Sequence, residues 1–456
     1  MTFPAQTENA RTYTLPRLAD TAVVLGLSLL VRGAVFSIRY HQSLQIEALG
    51  GAGLTAFGGS DVPGWLSMAQ YFIEQGGLAY GLMGTRPPLF PLTVALVYIL
   101  GGTALHGAAL QTIFGAVTPA IGYLLAHNLL VRSTRLERPE RLALVAGGVM
   151  ALDPASVAAS TSLLSEPLFN LAFTACILHL ALFTERPRWF HALLASLWLG
   201  AAMLTRPTAI YFWVIAPLML APLGRRWWRP AIGLIGVGLA VYLGWSARNL
   251  RYQGVFTYSM QTNFSLLFLR AVSAEHMATG RPVDDLYVEY VRELYASVGN
   301  TEAASQVEPW MFWNFLPAPS PELYARMGEM AREKLLRYWP YALTGTPIGI
   351  WRMFGLTLTF PDWFAPFELV YHALLYGLML LGAWSAVRQR DWRPLIMTGA
   401  PILYVTGLTL TSQISAMDTR MRTPISAPII ILAIYGLGVA LKRTRRKQPT
   451  TSSATT

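Results

Sequence analysis

The sequence predicts an all-α, polytopic membrane protein with about ten transmembrane helices, in a range of about ten to twelve. Hydrophobic residues make up 54% of the 456 positions and charged residues only 13%, whereas about 25% of a soluble domain is charged. Long apolar stretches recur along the chain, and short basic clusters separate them. The net charge of +11 therefore indicates membrane topology rather than a nucleic-acid partner.

Ten apolar stretches are long enough to cross a bilayer, which takes about 17–25 residues. They lie near 20–39, 105–131, 141–160, 164–184, 188–204, 207–223, 229–247, 366–387, 394–412 and 423–441. The run from Pro88 to Gly102 is too short to span, so we expect a juxtamembrane helix. The segment 341–359, which contains Pro347 and Arg352, is predicted to lie along the outer face in the same way.

Arginine and lysine collect in the connections on one side of these ten crossings. The clusters are Arg11/Arg17, Arg132/Arg135/Arg138/Arg141, Arg186/Arg188, Arg225/Arg226/Arg229, Arg388/Arg390/Arg393 and Lys442–Lys447. By the positive-inside rule, this side and both termini are predicted to be cytoplasmic. The opposite, outer side then carries the long loops, where a site is expected.

Four segments follow from this topology. We expect a transmembrane catalytic module over 1–247, with a first outer loop over 40–104, and a large outer loop over 248–340. A juxtamembrane and transmembrane module follows over 341–447. The Ser/Thr-rich tail 448–456 is expected to be disordered.

Polar residues that would be costly in lipid gather at the outer ends of the predicted helices. They are Asp61, Arg86, Asp153 or Glu166, Arg206, Arg248 and the turn Asp418-Thr-Arg420-Met-Arg422. Arginine neutralises a phosphate leaving group, and a carboxylate takes a proton from an acceptor hydroxyl. The pattern favours glycosyl transfer from a lipid-linked phosphate.

Several of these residues also have a structural alternative. Asp61 could cap the helix that begins near Pro63, and Glu166 could simply favour a helix dipole. Arg420 and Arg422 could extend to the membrane interface, as could Arg32 in the first helix. The role of Asp153 stays open.

The sequence gives little support for a cofactor. The seven histidines are scattered without metal-ligand spacing, so no metal site is predicted. A divalent cation held by Asp61 and Glu166 is an alternative without direct support. No phosphate-binding or dinucleotide-binding glycine motif appears, so a nucleotide substrate is not expected. The outer aromatic stretch Trp310–Phe315 is typical of an interfacial belt.

Six weak motifs occur in order along the outer face. They are Ser60-Asp61 with Trp65 and Ala69, Arg86-Pro-Pro-Leu-Phe-Pro, Leu164-Ser-Glu-Pro-Leu-Phe, Leu204-Thr-Arg-Pro, Arg248-Asn, and Thr419-Arg-Met-Arg-Thr-Pro. This order resembles the GT-C superfamily of membrane glycosyltransferases, in the bacterial branch of protein O-mannosyltransferases and aminoarabinose transferases. Trp65 stands where that family often has tyrosine, and Arg420-Met-Arg422 replaces Arg-Tyr-Arg.

The resemblance implies an inverting transfer of a hexose or pentose from a polyprenyl-phosphate donor at the outer face of the bacterial cytoplasmic membrane. The acceptor would be a hydroxyl group of a glycan, a lipid or a protein. Membrane lipids would be the other partners of the chain. The resemblance makes Asp61 the base and Glu166 the second acidic residue. Arg420 and Arg422, with Arg248, Arg86 and Arg206, are the candidates for binding donor phosphate.

A transporter or flippase for a lipid-linked or anionic solute is the alternative from another class. Transporters commonly have internal repeats and polar helices near the midplane. This chain has no visible repeat, and its charges lie at one face. Transport without chemical change to the sugar would separate the two functions.

Overall fold

A computed structural model describes residues 16–79, 81–220, 227–308, 320–357, 361–408 and 419–447. Every regular element within these ranges is helical, which confirms the all-α prediction. The aromatic stretch 310–315, Arg225, Arg226, Asp418 and the tail 448–456 lie outside the described residues.

The helices are numbered in chain order. The first half contains α1 (Leu18–Ala48), α2 (Val62–Gln75), α3 (Leu89–Ile99), α4 (Ala104–Leu130), α5 (Pro139–Leu152), α6 (Pro154–Ser160), α7 (Glu166–Glu185), α8 (Trp189–Thr205) and α9 (Phe212–Ile215). The second half contains α10 (Trp228–Gln253), α11 (Gln261–Phe264), α12 (Val272–Thr279), α13 (Val283–Ser297), α14 (Thr301–Ser305), α15 (Pro321–Arg337), α16 (Trp339–Met353), α17 (Ala365–Gln389), α18 (Trp392–Gly407) and α19 (Ser426–Lys447).

Six helices among the described residues are long and apolar enough to cross a membrane. They are those at 18–48, 104–130, 166–185, 230–253, 362–389 and 419–444. α5 and α6 together would make a seventh span, bent by 52°. Shorter apolar helices occupy Trp189–Thr205 and Pro207–Leu220, and α18 has 16 residues. Residues 221–223 of the predicted stretch near 207–223 lie outside the described residues. The chain is therefore an integral membrane protein, but the prediction of about ten crossings is not confirmed.

α7 is the central helix of the bundle, because it is apolar and buried on almost every side. It packs against α4 and α8. Glu166 and Pro167 occupy its first turn, where a carboxylate favours the helix dipole and proline fits without losing a hydrogen bond. This arrangement places Glu166 in the middle of one end of the bundle.

α1 carries two buried arginines that bind the chain around α6. Arg32 donates to the Ser160 hydroxyl at 2.8 Å and to the Ala151 carbonyl at 2.9 Å. Arg39 donates to the Ser162 hydroxyl at 2.6 Å. Arg32 is 1% exposed, so it does not extend to the interface as a snorkelling side chain would. The two arginines fasten α1 to the segment that leads into Glu166.

Two of the basic clusters predicted to be cytoplasmic, those around Arg132 and Arg393, meet at the other end of the bundle. Arg132 contacts Glu185, the last residue of α7, at 2.5 Å. Ser133 donates to Asp391 at 2.7 Å, and Arg393 donates to the Asn128 carbonyl at 3.0 Å. Because the 20 residues of α7 span about 30 Å, this basic end is about one bilayer thickness from Glu166.

Residues 254–308 and 320–337, which we call the loop segment, pack around a hydrophobic cluster of their own. Its core includes Phe268 from a π-helical stretch, Tyr290 from α13 and Met327 from α15. Burial, together with a 2.8 Å hydrogen bond to Glu275, raises the pKa of Tyr290 above its usual range. This loop segment thus has an internal core although it lies between membrane helices in the chain.

α17 and α19 approach closely through two glycines. A methyl group added at Gly382 would lie 2.0 Å from the Leu432 carbonyl oxygen, and one at Gly436 would lie 2.3 Å from the Leu378 carbonyl oxygen. Small residues at such crossings let membrane helices pack backbone to backbone.

Gly382→Ala should therefore separate α17 from α19 and destabilise the protein by about 1–3 kcal/mol, the usual effect of overpacking. The unfolding midpoint of the detergent-solubilised protein, followed by tryptophan fluorescence, measures this effect. Gly377→Ala is the matched control, because that position of α17 has nothing within 4 Å. Equal midpoints for the two variants would contradict the close contact.

Candidate active site

Asp61 stands at the beginning of α2 but does not cap it. The residue ends a short 3-10 helix, Gly59–Asp61, and its side chain makes no capping hydrogen bond. Its Oδ1 instead accepts a hydrogen bond from Arg86 Nη2 at 2.8 Å. Gly59 precedes it with φ +62°, a backbone conformation that favours glycine. The loop therefore directs this carboxylate toward Arg86 rather than toward the helix backbone.

Arg86 is held on two sides. Its guanidinium lies over the Trp65 ring, 4.5 Å from the centroid, and Trp65 packs edge-on against Phe90. Burial lowers the pKa of Arg86 below its usual value, although the Asp61 carboxylate opposes this shift. The Arg86 side chain is 17% exposed and that of Asp61 45% exposed. Asp61 is thus oriented by the ion pair and still accessible.

A second ion pair joins Glu166 to Arg206. Arg206 Nη1 lies 2.5 Å from Glu166 Oε1 and donates to the Ser165 hydroxyl at 3.2 Å. Arg206 follows α8 in an extended conformation, as expected for a residue before proline. The Glu166 side chain is only 6% exposed. Burial of this carboxylate is tolerated because arginine pairs with it.

The two ion pairs and Arg420 form one electrostatic cluster. Arg86 interacts electrostatically with both Arg206 and Glu166. Arg420 is a further positive charge that attracts the Glu166 carboxylate. The backbone links the same regions, since Leu163 N donates to the Phe57 carbonyl at 2.6 Å. Five of the seven candidate site residues therefore come together, and we call Asp61, Arg86, Glu166, Arg206 and Arg420 the charge cluster. Three arginines against two carboxylates leave it with one net positive charge.

Arg248 and Arg422 lie outside the charge cluster. Arg248 Nε donates to the Leu78 carbonyl at 2.7 Å, and its Nη1 donates to the Asn249 side chain at 2.7 Å. Its guanidinium also lies 5.2 Å from the centre of the Trp245 ring. Arg248 thereby holds the stretch of chain that follows α2.

Arg422 is fully buried and pairs with Asp153. Its Nη1 lies 3.4 Å from Asp153 Oδ1, and its Nη2 lies 2.6 Å from His372 Nε2. No sequence motif pairs Asp153 with Arg422, and His372 is one of the scattered histidines without metal-ligand spacing. An aspartate inside an apolar segment is the signal that points to such a buried partner.

A small cavity lies among α1, α4, α6, α7 and α19. Its volume is about 20 Å³, room for roughly one water molecule. Arg32, Ser156, Asn170, Thr423 and Ser426 contribute polar groups to its wall. Asn170 Oδ1 has no hydrogen-bond partner among the residues that the structure describes. The cavity is too small for a sugar or a lipid headgroup.

The charge cluster offers no ready ligand set for a metal ion. Asp61 and Glu166 are each paired with an arginine. The described ranges contain no group of three or more His, Cys, Asp or Glu side chains that could hold a metal. Cation binding by Asp61 and Glu166 would require both arginine pairs to open.

Residues 85–246, about a third of the chain, match the family model described as dolichyl-phosphate-mannose-protein mannosyltransferase. No curated protein sequence matches the chain significantly.

Solved structures resemble the chain in fold. The oligosaccharyltransferase AglB from Archaeoglobus fulgidus, in complex with an inhibitory peptide and a dolichol-phosphate, superposes with a TM-score of 0.53 at 12% identity, covering 93% of this chain and 51% of AglB. The apo oligosaccharyltransferase of the same organism gives a TM-score of 0.54 at 14% identity, with coverages of 93% and 51%. ArnT from Cupriavidus metallidurans, bound to undecaprenyl phosphate, gives 0.40 at 15% identity, with coverages of 91% and 77%.

The chain thus spans about half the length of the oligosaccharyltransferases that it resembles. It aligns with them over nearly all of its own length, so the likeness includes both the membrane bundle and the loop segment. The resemblance to the GT-C superfamily predicted from the sequence is confirmed in the fold: this chain is an integral membrane protein with a GT-C-like helical architecture.

Proposed function

We propose that the protein is an inverting glycosyltransferase that moves a sugar from a polyprenyl-phosphate donor to an acceptor hydroxyl. The observation that carries this proposal is the charge cluster, in which an accessible carboxylate lies beside several partly buried arginines. Acceptor activation and leaving-group stabilisation require these two kinds of group side by side.

The charge of the cluster suits the leaving group. A sugar linked to a polyprenyl phosphate is a phosphodiester with one negative charge, whereas the released phosphate monoester carries about −1.5 to −2 at pH 7. Arg206 and Arg420, with Arg86 nearby, supply the net positive charge. The cluster therefore favours the charge that develops as the bond between the anomeric carbon and the phosphate oxygen breaks.

Asp61 is the proposed base. The acceptor hydroxyl gives its proton to the Asp61 carboxylate while its oxygen attacks the anomeric carbon, and the electrons of the broken bond remain on the departing phosphate. Arg86 orients the carboxylate through its 2.8 Å hydrogen bond. Because the Asp61 side chain is 45% exposed, it can return the proton to solvent after transfer.

The comparisons support this chemistry in general terms. The matching family model is named for dolichyl-phosphate-mannose, and one of the archaeal oligosaccharyltransferase structures holds a dolichol-phosphate. A polyprenyl phosphate carrier for this chain is an inference from those relatives. The same reasoning favours a glycan, lipid or protein acceptor, with the sugar a hexose or a pentose.

The proposed orientation of the protein in the membrane is based on the position of the basic clusters. Arg132, Arg393 and Lys442 lie at the end of the bundle opposite Glu166. The positive-inside rule makes that end cytoplasmic. The charge cluster then faces outward from the bacterial cytoplasmic membrane.

Two measurements test the proposal. Mass spectrometry of the purified protein should identify a co-purified polyprenyl phosphate, and incubation with a panel of polyprenyl-phosphate sugars should release the carrier only with the correct sugar and acceptor. Movement of an intact lipid-linked sugar across proteoliposomes, without cleavage, would favour a flippase and overturn the proposed transfer.

A further inference from the structure

The turn that carries Arg420 is a 3-10 helix, Thr419–Ile425, and it presents its two arginines differently. A 3-10 helix has three residues per turn, so residues two positions apart lie on different faces. Arg422 is 0% exposed and faces the bundle interior, whereas Arg420 is partly exposed and acts on Glu166. The motif therefore has one inward and one site-facing arginine.

Asp153 is the centre of the interior contacts. It interrupts the apolar segment between α5 and α6, and it is 0% exposed. Its Oδ1 accepts from the Tyr371 hydroxyl at 3.0 Å and lies 3.4 Å from Arg422 Nη1. Its Oδ2 accepts from the hydroxyls of Ser156 at 2.5 Å and Ser426 at 3.0 Å. One carboxylate thus joins α6, α17, α19 and the turn.

The same turn is held from two other sides. His372 on α17 contacts Arg422 at 2.6 Å. Asn170, one turn beyond Glu166 on α7, donates to the Thr423 hydroxyl at 2.9 Å, and that hydroxyl donates to the Arg420 carbonyl at 2.8 Å. These contacts fix the backbone of Arg420 relative to the beginning of α7. The electrostatic interaction between Arg420 and Glu166 depends on that placement.

We propose that Asp153 is a positioning residue for the carrier phosphate: it anchors Arg422, and Arg422 holds the turn so that Arg420 faces the charge cluster. The two arginines then divide their roles, Arg422 as a buried anchor and Arg420 as the phosphate contact. This inference rests on the proposed function, since it takes the phosphate of a polyprenyl carrier as the ligand of Arg420.

Binding of undecaprenyl phosphate to the full-length protein in nanodiscs tests the inference without knowledge of the sugar. Asp153→Asn should weaken binding by about 10- to 100-fold, because misplacement of a contact group by about 1 Å has effects of that size. Arg420→Gln should weaken it by a similar factor. In the double variant, Asp153→Asn should cause no further loss, because the contact that it positions is already gone.

Asp391→Asn is the matched control. Asp391 also accepts from a serine and a tyrosine hydroxyl, Ser133 at 2.7 Å and Tyr435 at 3.1 Å, but it lies at the basic end. The Asp391→Asn variant should bind undecaprenyl phosphate as tightly as the wild-type protein does. Tyr371→Phe removes a single bond to Asp153 and serves if Asp153→Asn fails to fold. It should weaken binding about 3-fold when Arg420 is present and not when Arg420 is absent.

Equal losses from Asp153→Asn, or from Tyr371→Phe, with and without Arg420 would overturn the inference and indicate general damage to the fold. Unchanged binding in these variants would overturn it as well. If the wild-type protein shows no saturable binding of undecaprenyl phosphate, the proposed function itself fails, and this result is distinct from both others.

Discussion

Asp61→Asn should abolish sugar transfer. Asparagine keeps the shape of the side chain and an oxygen that can accept from Arg86, but it cannot take a proton from the acceptor hydroxyl. Loss of a general base lowers rates by about 10²- to 10⁴-fold. The measurement is the initial rate of transfer with the polyprenyl-phosphate sugar identified from the panel.

Binding and folding should survive this change. Asp61 does not cap α2, so its replacement leaves the helix backbone satisfied as before. Glu74→Gln is the matched control, since Glu74 is an exposed carboxylate on the same helix. A rate for Asp61→Asn within a factor of two or so of the control, at equal protein levels, would remove Asp61 from the role of base.

Arg206→Ala should lower both the stability of the protein and its affinity for the carrier phosphate. It leaves the Glu166 carboxylate, 6% exposed, without its partner at 2.5 Å. Breaking a buried pair by removing one member costs about 3–5 kcal/mol, and we expect the lower end because Arg206 is itself 18% exposed. Affinity for undecaprenyl phosphate should fall at least about 10-fold, as for a lost bond to a charged group.

A paired variant separates the two effects of Arg206. Glu166→Gln combined with Arg206→Gln removes both charges, so the unfolding midpoint should recover much of the loss while phosphate binding stays weak. Arg188→Ala, at an exposed position at the other end of α8, controls for loss of charge alone. Recovery of full binding in the double variant would show that Arg206 serves only to neutralise Glu166.

Much of the fold could be predicted from the sequence, because apolar length and basic clusters determine where helices begin and end. The short run after Pro88 does form a short helix, α3. The number of crossings could not be predicted in this way, since α8 and α18, with 17 and 16 residues, are at or just below the shortest length that crosses a bilayer. Asp153 also divides one predicted stretch into α5 and α6.

The membership of the charge cluster was predictable only in part. Sequence position indicates the height of a residue in the membrane but not the direction in which its side chain points. Arg248 contacts Leu78, 170 positions earlier, and Arg422 contacts Asp153, 269 positions earlier. Both partners lie on other helices or loops, far away in the sequence. The order of the motifs therefore could not show that Arg248 and Arg422 point away from Arg86, Arg206 and Arg420.

The arginines of α1 have a consequence for biosynthesis. Arg32 and its partner Ser160 lie 128 positions apart, so at about 5–20 residues per second roughly 6–25 s separate their synthesis. During that interval an arginine in a lipid-facing helix would cost about 2.5–3.5 kcal/mol. We therefore expect α1 to remain beside the insertion machinery until α6 emerges, so that these two helices settle into the bilayer together.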